Sequence, residues 1–217
     1  MPVIDWRQYE TVLLDMDGTL LDLAFDNYFW RELLPRCLSR IHRDETERTT
    51  TELIERFALK QGSLDWYCLD YWSRELSLDL RSLKNACSQK IRFLPGAREF
   101  LMTLVSWRKR VILVTNAHGY SLTLKKDVVG LKQYFDAFIS SHDIGFAKEQ
   151  TEFWPLLHSR LDFDPATTLF VDDNCRVLDA AFAFGIRDVI EVTCPDTRIA
   201  AKEPGVHRGV RRVANLI

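Results

Sequence analysis

The stretch TVLLDMDGTLLD, Thr11 to Asp22, drives an apolar run into two carboxylates, Asp15 and Asp17, with Gly18 beside the second. Like charges this close repel, so a carboxyl pKa should rise unless a cation or a shared proton offsets the conflict. An ordinary Asp-Gly turn is the plain alternative. Other polar groups also sit at the ends of apolar runs: Thr115 and Asn116 after VILV, Asp172 and Asp173 after TLFV, and Lys148 beyond AFISS. In open α/β sheets, ligands bind beyond the carboxyl ends of the strands. Each residue alone could be turn chemistry, but their joint placement is hard to explain that way. Four carboxylates in one crevice call for a hard cation, and Mg²⁺ prefers oxygen ligands. With Lys148, such a cation would make an electropositive cup for a phosphoryl group. Gly18 would let the backbone approach a ligand, and Thr19 would buttress the loop by hydrogen bonding.

Five short runs read as strands covered on both faces: Thr11–Asp15, Val111–Thr115, Ala137–Ser141, Thr168–Asp172 and Asp188–Val192. Helical spacing fills the gaps between the later ones. Phe100, Leu101, Leu104 and Trp107 precede the second run; Leu122, Leu124, Val128 and Val129 follow it, with Gly130 as a stop. Val177, Leu178, Ala181 and Phe182 run up to Gly185. This alternation predicts an α/β fold with a doubly wound, Rossmann-like parallel sheet. The interval between the first two runs is too long for one crossover helix. It reads as helices, with Phe29, Leu33, Cys37 and Ile41 on one face, a Thr49/Glu52 capping box, and Asp65 and Asp79 as N-caps. The expected organisation is a core over residues 1–22 and 94–217, with an inserted helical cap over 23–93.

The 217 residues are 47% hydrophobic and carry a net charge of −2, which gives no electrostatic case for nucleic acid or a membrane surface as partner. Arg208, Arg211 and Arg212 read as a solvated tail face. The opening residues lack the basic and apolar regions of a secretory leader. Cys37, Cys68, Cys87, Cys175 and Cys194 are odd in number without CxxC spacing, so ordinary thiols in a reducing, cytoplasmic setting are expected.

The four motifs together, DMDGT at Asp15–Thr19, the Thr115-Asn116 pair, Lys148 and VDD at Val171–Asp173, resemble the haloacid dehalogenase (HAD) superfamily, in the same order and with a helical cap between the first two. More narrowly, LLDMDGTLLDLAFDNYFW and LDWYCLDYW resemble its GMP/IMP 5′-nucleotidase branch. The resemblance implies that Asp15 attacks phosphorus and forms an aspartyl-phosphate, while Asp17 serves as general acid and then base. It implies that Thr115 and Asn116 hold phosphoryl oxygens while Lys148 balances their charge, and that Asp15, the Asp17 carbonyl and Asp173 bind Mg²⁺ with Asp172 in the same network. Dehalogenase relatives lack the second aspartate, so Asp17 argues for phosphate chemistry. Two departures stand out. Glu149 follows Lys148 where many relatives carry proline, and Asp172 takes a place often held by glycine, leaving open which of Asp172 and Asp173 touches the metal.

The implied activity is a phosphomonoesterase releasing phosphate from a purine nucleoside 5′-monophosphate. Hydrolysis of sugar phosphates or other small phosphometabolites is the alternative, and a non-catalytic binding scaffold is the third reading. His118 could reach the phosphate or leaving group, or be polar surface. Phe25, Asp26 and Asn27 are the leading substrate contacts. Among Phe25, Tyr28, Phe29, Trp30, Trp66, Tyr67 and Trp72, most should be lid core, with one or two free to stack on a purine. Lys60, Lys84 and Lys90 read as solvated helix residues.

Overall fold

The computed structural model describes residues 4–217; residues 1–3, on which part of the leader argument rests, lie outside them. Six parallel strands form one sheet: β1 (Thr11–Leu14), β2 (Arg110–Thr115), β3 (Ala137–Ser140), β4 (Thr168–Asp172), β5 (Asp188–Val192) and β6 (Arg208–Val210), in the order β3-β2-β1-β4-β5-β6. The chain therefore winds outward from β1 in one direction through β2 and β3, then returns to β1's other side for β4. The crevice where winding reverses lies between β1 and β4, whose register pairs Leu14 with Val171. This puts Asp15 beside Asp172 by construction.

Side chains alternate across the sheet as the pleat requires. Val12 and Leu14 join one core with Leu113, Val171 and Ile190, while Leu13, Ile112, Val114 and Phe170 join the other. Helices α7 (Ala97–Ser106) and α8 (Gly119–Val129) cover the first face through Phe100, Leu101, Leu104 and Leu122. Helices α10 (Phe153–Leu161) and α11 (Cys175–Phe184) cover the second through Phe153, Trp154, Leu157, Val177, Leu178 and Ala181, and a short α9 (Ser141–Ile144) leaves β3. Gly130 and Gly185 end α8 and α11 in left-handed backbone, as their positions predict.

Between β1 and β2 run α1 (Ala24–Tyr28), a π-helical turn over Phe29–Leu33, α2 (Leu34–His42), α3 (Thr46–Ala58), α4 (Leu64–Tyr67), α5 (Leu69–Glu75) and α6 (Leu80–Ala86). Their apolar faces, Phe29, Leu34, Leu38, Leu53, Leu69, Trp72 and Leu80, are continuous with the first core. Asp79 caps α6 as expected, accepting from the Ser82 N–H. The other two caps differ. Helix α3 begins at Thr46, and the Thr49 hydroxyl donates to the Glu45 carbonyl inside it. The Asp65 segment is broken at Cys68, whose thiol caps α5 while Asp65 pairs with Lys60 at 2.9 Å. On the expected apolar face, Ile41 is 59% exposed.

Arg208 and Arg211 are exposed, as a solvated face requires, and Arg212 is half-buried, but the segment that carries them is no loose tail. Arg208 lies in β6, and Val210, Val213 and Leu216 are buried in the first core. Among the described residues the five cysteines are free, and no helix is long and apolar enough to cross a membrane.

Asp22 ties the two ends of the insertion to the loop after β5. Its carboxylate accepts from the Ala24 N–H, from Arg92 and from the backbone and hydroxyl of Thr197. Burial pushes this carboxyl up, but the Thr197, Ala24 and Arg92 bonds outweigh it and hold the group below 3.8. A depressed folded pKa gives stability that is present above the unfolded value and lost as pH falls through the folded one. Asp22→Asn should therefore lower stability at pH 7 by ~1–3 kcal/mol, with the deficit shrinking below about pH 4. Urea titrations at pH 7 and pH 3 measure both; an equal deficit at both would count against this account.

Candidate active site

Lys148, buried in the loop after α9, donates to Asp15 at 2.5 Å, to Asp172 at 2.7 Å and to the Val114 carbonyl at 3.0 Å. All three ammonium protons are thereby used. Burial opposes the lysine's charge, yet the two aspartates hold its pKa above the ordinary value. Burial pushes Asp15 up, Lys148 pulls it back and Asp172 pushes it up again, leaving it at about 6. The other oxygen of Asp172 accepts from the Asn174 N–H.

Asp15, Asp172 and Asp173 bring carboxylate oxygens within 4.8 Å of one another. Burial and the two neighbouring carboxylates push Asp173 well above the ordinary range. Its carboxylate has no hydrogen bond or ion pair among the described residues, and only its backbone carbonyl is engaged, by Lys202. Three clustered hard oxygen donors, one unpartnered, fit a divalent cation such as Mg²⁺. Gly18 is required beside them: its φ is +86°, and a Cβ there would lie 2.4 Å from Asp173 Oδ2.

The Asp17 carboxylate points elsewhere. It pairs with Lys125 of α8 at 2.7 Å; Lys125 also holds Asp26 at 2.6 Å, and Asp26 pairs with Lys84 of α6 at 2.9 Å. Both lysines are buried. Burial raises Asp17 to about 6 against the pull of Lys125, with Asp26 and Asp15 adding to the rise. For Asp26 the two ammoniums overcome burial and hold the carboxyl at about 2.

Several expectations change here. Lys84 is not a solvated helix residue; it faces the core one turn after Leu80, and burial lowers its pKa. Asp26 lines the cavity with both oxygens already committed to lysines. Phe25 lies in the core beneath the two ammoniums, each 5.5 Å from its ring. Thr19 is fully buried, and its hydroxyl has no hydrogen-bond partner among the described residues, so it does not buttress the loop that way. Asn27 lines the cavity and donates to Asp196 at 2.8 Å. His118 also faces the cavity; its Nδ1 accepts from the Tyr120 N–H at the start of α8 and its Nε2 lies 3.5 Å from Asp70. Thr115 is buried, with its hydroxyl accepting from the Ala117 N–H. Lys125 was missed, although it lies four residues after Ser121 and three after Leu122, on the buried side of α8.

From these groups a cavity of about 960 Å³ runs beneath the insertion, walled by Trp30, Phe57, Trp66, Tyr67 and Trp72. A carboxylate cluster with its own ammonium, at the switch point of a doubly wound sheet, defines an α/β enzyme built around an anionic centre. The chain belongs to the haloacid dehalogenase-like hydrolase family, whose model matches residues 9–185. It is 38% identical over 214 residues, 99% of this chain and 96% of the relative, to the GMP/IMP nucleotidase YrfG of Escherichia coli strain K12. It is 29% identical to a phosphoglycolate phosphatase of Nitrosospira multiformis over 85% of this chain and 89% of that one. A HAD phosphatase from Thermococcus onnurineus shares the fold with a TM-score of 0.79 at 20% identity, covering 95% of each chain.

Two substitutions test the site's construction. Gly18→Ala should force Asp173 aside and cut turnover ~100-fold, the scale of a misplacement of about 1 Å, while circular dichroism stays native. Lys125→Met leaves buried carboxylates short of a partner and should cost ~3–5 kcal/mol of stability. Undiminished turnover in the first, or an unchanged urea midpoint in the second, would contradict these roles.

Proposed function

We propose that this hydrolase is a Mg²⁺-dependent phosphomonoesterase acting on purine nucleoside 5′-monophosphates, with residues 23–93 forming a cap over the core. The observation that carries the reading is one continuous cavity with carboxylates at its floor and aromatic rings along its wall. Its volume suits a mononucleotide, since ligand pockets commonly span about 300–1,000 Å³. An anionic phosphoryl group belongs at the floor, and a flat base fits against Trp30, Phe57, Trp66 or Trp72. The nearly full-length likeness to a GMP/IMP nucleotidase supports the same assignment.

In this reading Asp15 attacks phosphorus and becomes an aspartyl-phosphate as the P–O bond to the nucleoside breaks. Asp17 gives the leaving oxygen its proton, then takes one from the water that frees phosphate. Thr115 and Asn116 hold the phosphoryl oxygens and the Lys148 ammonium balances their charge, with Gly18 keeping the backbone close. Mg²⁺ held by Asp15, Asp173, the Asp17 carbonyl and the Asp172 network would offset the repulsion between carboxylate and phosphate. His118 and Asn27 sit where they can contact the substrate.

Phosphate release from GMP and IMP should exceed that from sugar phosphates and phosphoglycolate. Asp15→Asn should abolish it while leaving the fold intact, and a chelator should abolish it until Mg²⁺ is restored. A preference for phosphoglycolate would move the protein to the small-phosphometabolite reading. Release that survives Asp15→Asn refutes the nucleophile.

A further inference from the structure

Glu149 has no ion-pair partner among the described residues, yet both of its carboxylate oxygens are engaged. Oε1 accepts from the Tyr67 hydroxyl at 2.8 Å, and Oε2 accepts from Asn116 Nδ2 at 2.8 Å. Tyr67 ends α4, within the insertion, whereas Asn116 directly follows β2. The amide oxygen of Asn116 is held in turn by the Lys148 N–H at 2.9 Å. Consecutive residues 148 and 149 therefore grip Asn116 at both ends, and the second of them also grips the insertion.

We propose that Glu149 is a positioning residue that couples the seating of the helical insertion, through Tyr67, to the orientation of the Asn116 amide at the floor of the cavity. This rests on the phosphomonoesterase reading, in which Asn116 holds a phosphoryl oxygen. An amide nitrogen carries two protons. With one spent on Glu149 and the oxygen fixed by Lys148, the plane of the amide is set and the second proton has a defined direction. A proline at position 149 would offer no side-chain acceptor, so in this chain the bridge depends on the departure from the common Lys-Pro pattern. Two short donors, one on each oxygen, satisfy the half-buried Glu149 carboxylate and fix its orientation. Tyr67 thereby gains a contact that exists only while α4 rests against the loop carrying Lys148.

Four variants separate coupling from general damage: Tyr67→Phe, Glu149→Leu, their combination, and Glu149→Gln. Glutamine can keep both contacts, its carbonyl accepting from Asn116 and its amide donating to the tyrosine oxygen. Glu149→Leu should lower kcat for GMP about tenfold, the scale of one lost hydrogen bond to a charged group. Glu149→Gln should stay close to the unmodified enzyme, and Tyr67→Phe should act mainly on KM. In the Glu149→Leu background, Tyr67→Phe should have no further effect. Amide hydrogen exchange over residues 64–75 should speed up equally in Tyr67→Phe and Glu149→Leu, and this readout needs no substrate. The proposal is overturned if exchange is unchanged in both, if glutamine is as damaging as leucine, or if the two single effects simply add. If the unmodified protein hydrolyses none of the phosphomonoesters, the functional reading fails while the exchange measurement still decides the bridge.

Discussion

The Lys148 ammonium between Asp15 and Asp172 is the interaction on which the rest of the structure depends. Two buried carboxylates on adjacent strands would repel, and a buried lysine without partners would give up its proton. Together they leave the ammonium fully satisfied, because its third proton reaches the Val114 carbonyl near the end of β2. Three strands are thus joined at their carboxyl ends by one side chain. The strand order makes this possible, since only the reversal between β1 and β4 brings Asp15 next to Asp172. The loop must deliver Lys148 accurately, and Trp154 helps by donating its indole N–H to the Lys148 carbonyl at 2.8 Å from within the second core.

A second network applies the same physics across the insertion. Lys84, Asp26, Lys125 and Asp17 alternate in sign from α6 to the loop after β1, so each buried charge has an opposite neighbour. Such networks add little net stability over an apolar packing but are costly to break on one side. Their value here is positional. The insertion is referenced to Asp17 by charge and to Asn116 by Tyr67 and Glu149, so two of the polar groups at the cavity floor are each tied to a different part of it.

The five strands on both sides of the winding point were legible because burial on both faces leaves short, nearly unbroken apolar runs. β6 was not, because Arg208 and Gly209 carry no such run and the strand is held by its edge pairing with β5. The residues at the strand ends were legible for the same reason as the strands: topology alone places them together. The roles of Lys84 and Lys125 were hidden by residue type. Lys84 follows the buried Leu80 by one turn and Lys125 follows the buried Ser121 and Leu122, but a lysine is normally a surface residue, and the partners that neutralise these two lie far off in sequence. Asp26 shows the converse. Its position after the DMDGT loop pointed to substrate, whereas its two lysines make it a structural counter-ion.

The aromatic residues of the insertion show why helical spacing could not separate core from cavity wall. Phe29 and Trp30 are adjacent in sequence and meet edge to face at 4.9 Å; Trp30 meets Phe57 at 5.7 Å and Phe57 meets Trp72 at 4.7 Å in the same manner. Phe29 is fully buried, while Trp30, Phe57 and Trp72 border the cavity. Trp72 does both, packing its ring in the core and donating its indole N–H to the Trp66 carbonyl at 3.1 Å. The cavity wall is therefore the outer layer of the first core, where the helices between β1 and β2 join it. A substitution that reshapes the cavity at Phe57 also removes ring contacts that seat Trp30 and Trp72, so changes in ligand preference and in stability are coupled at these positions.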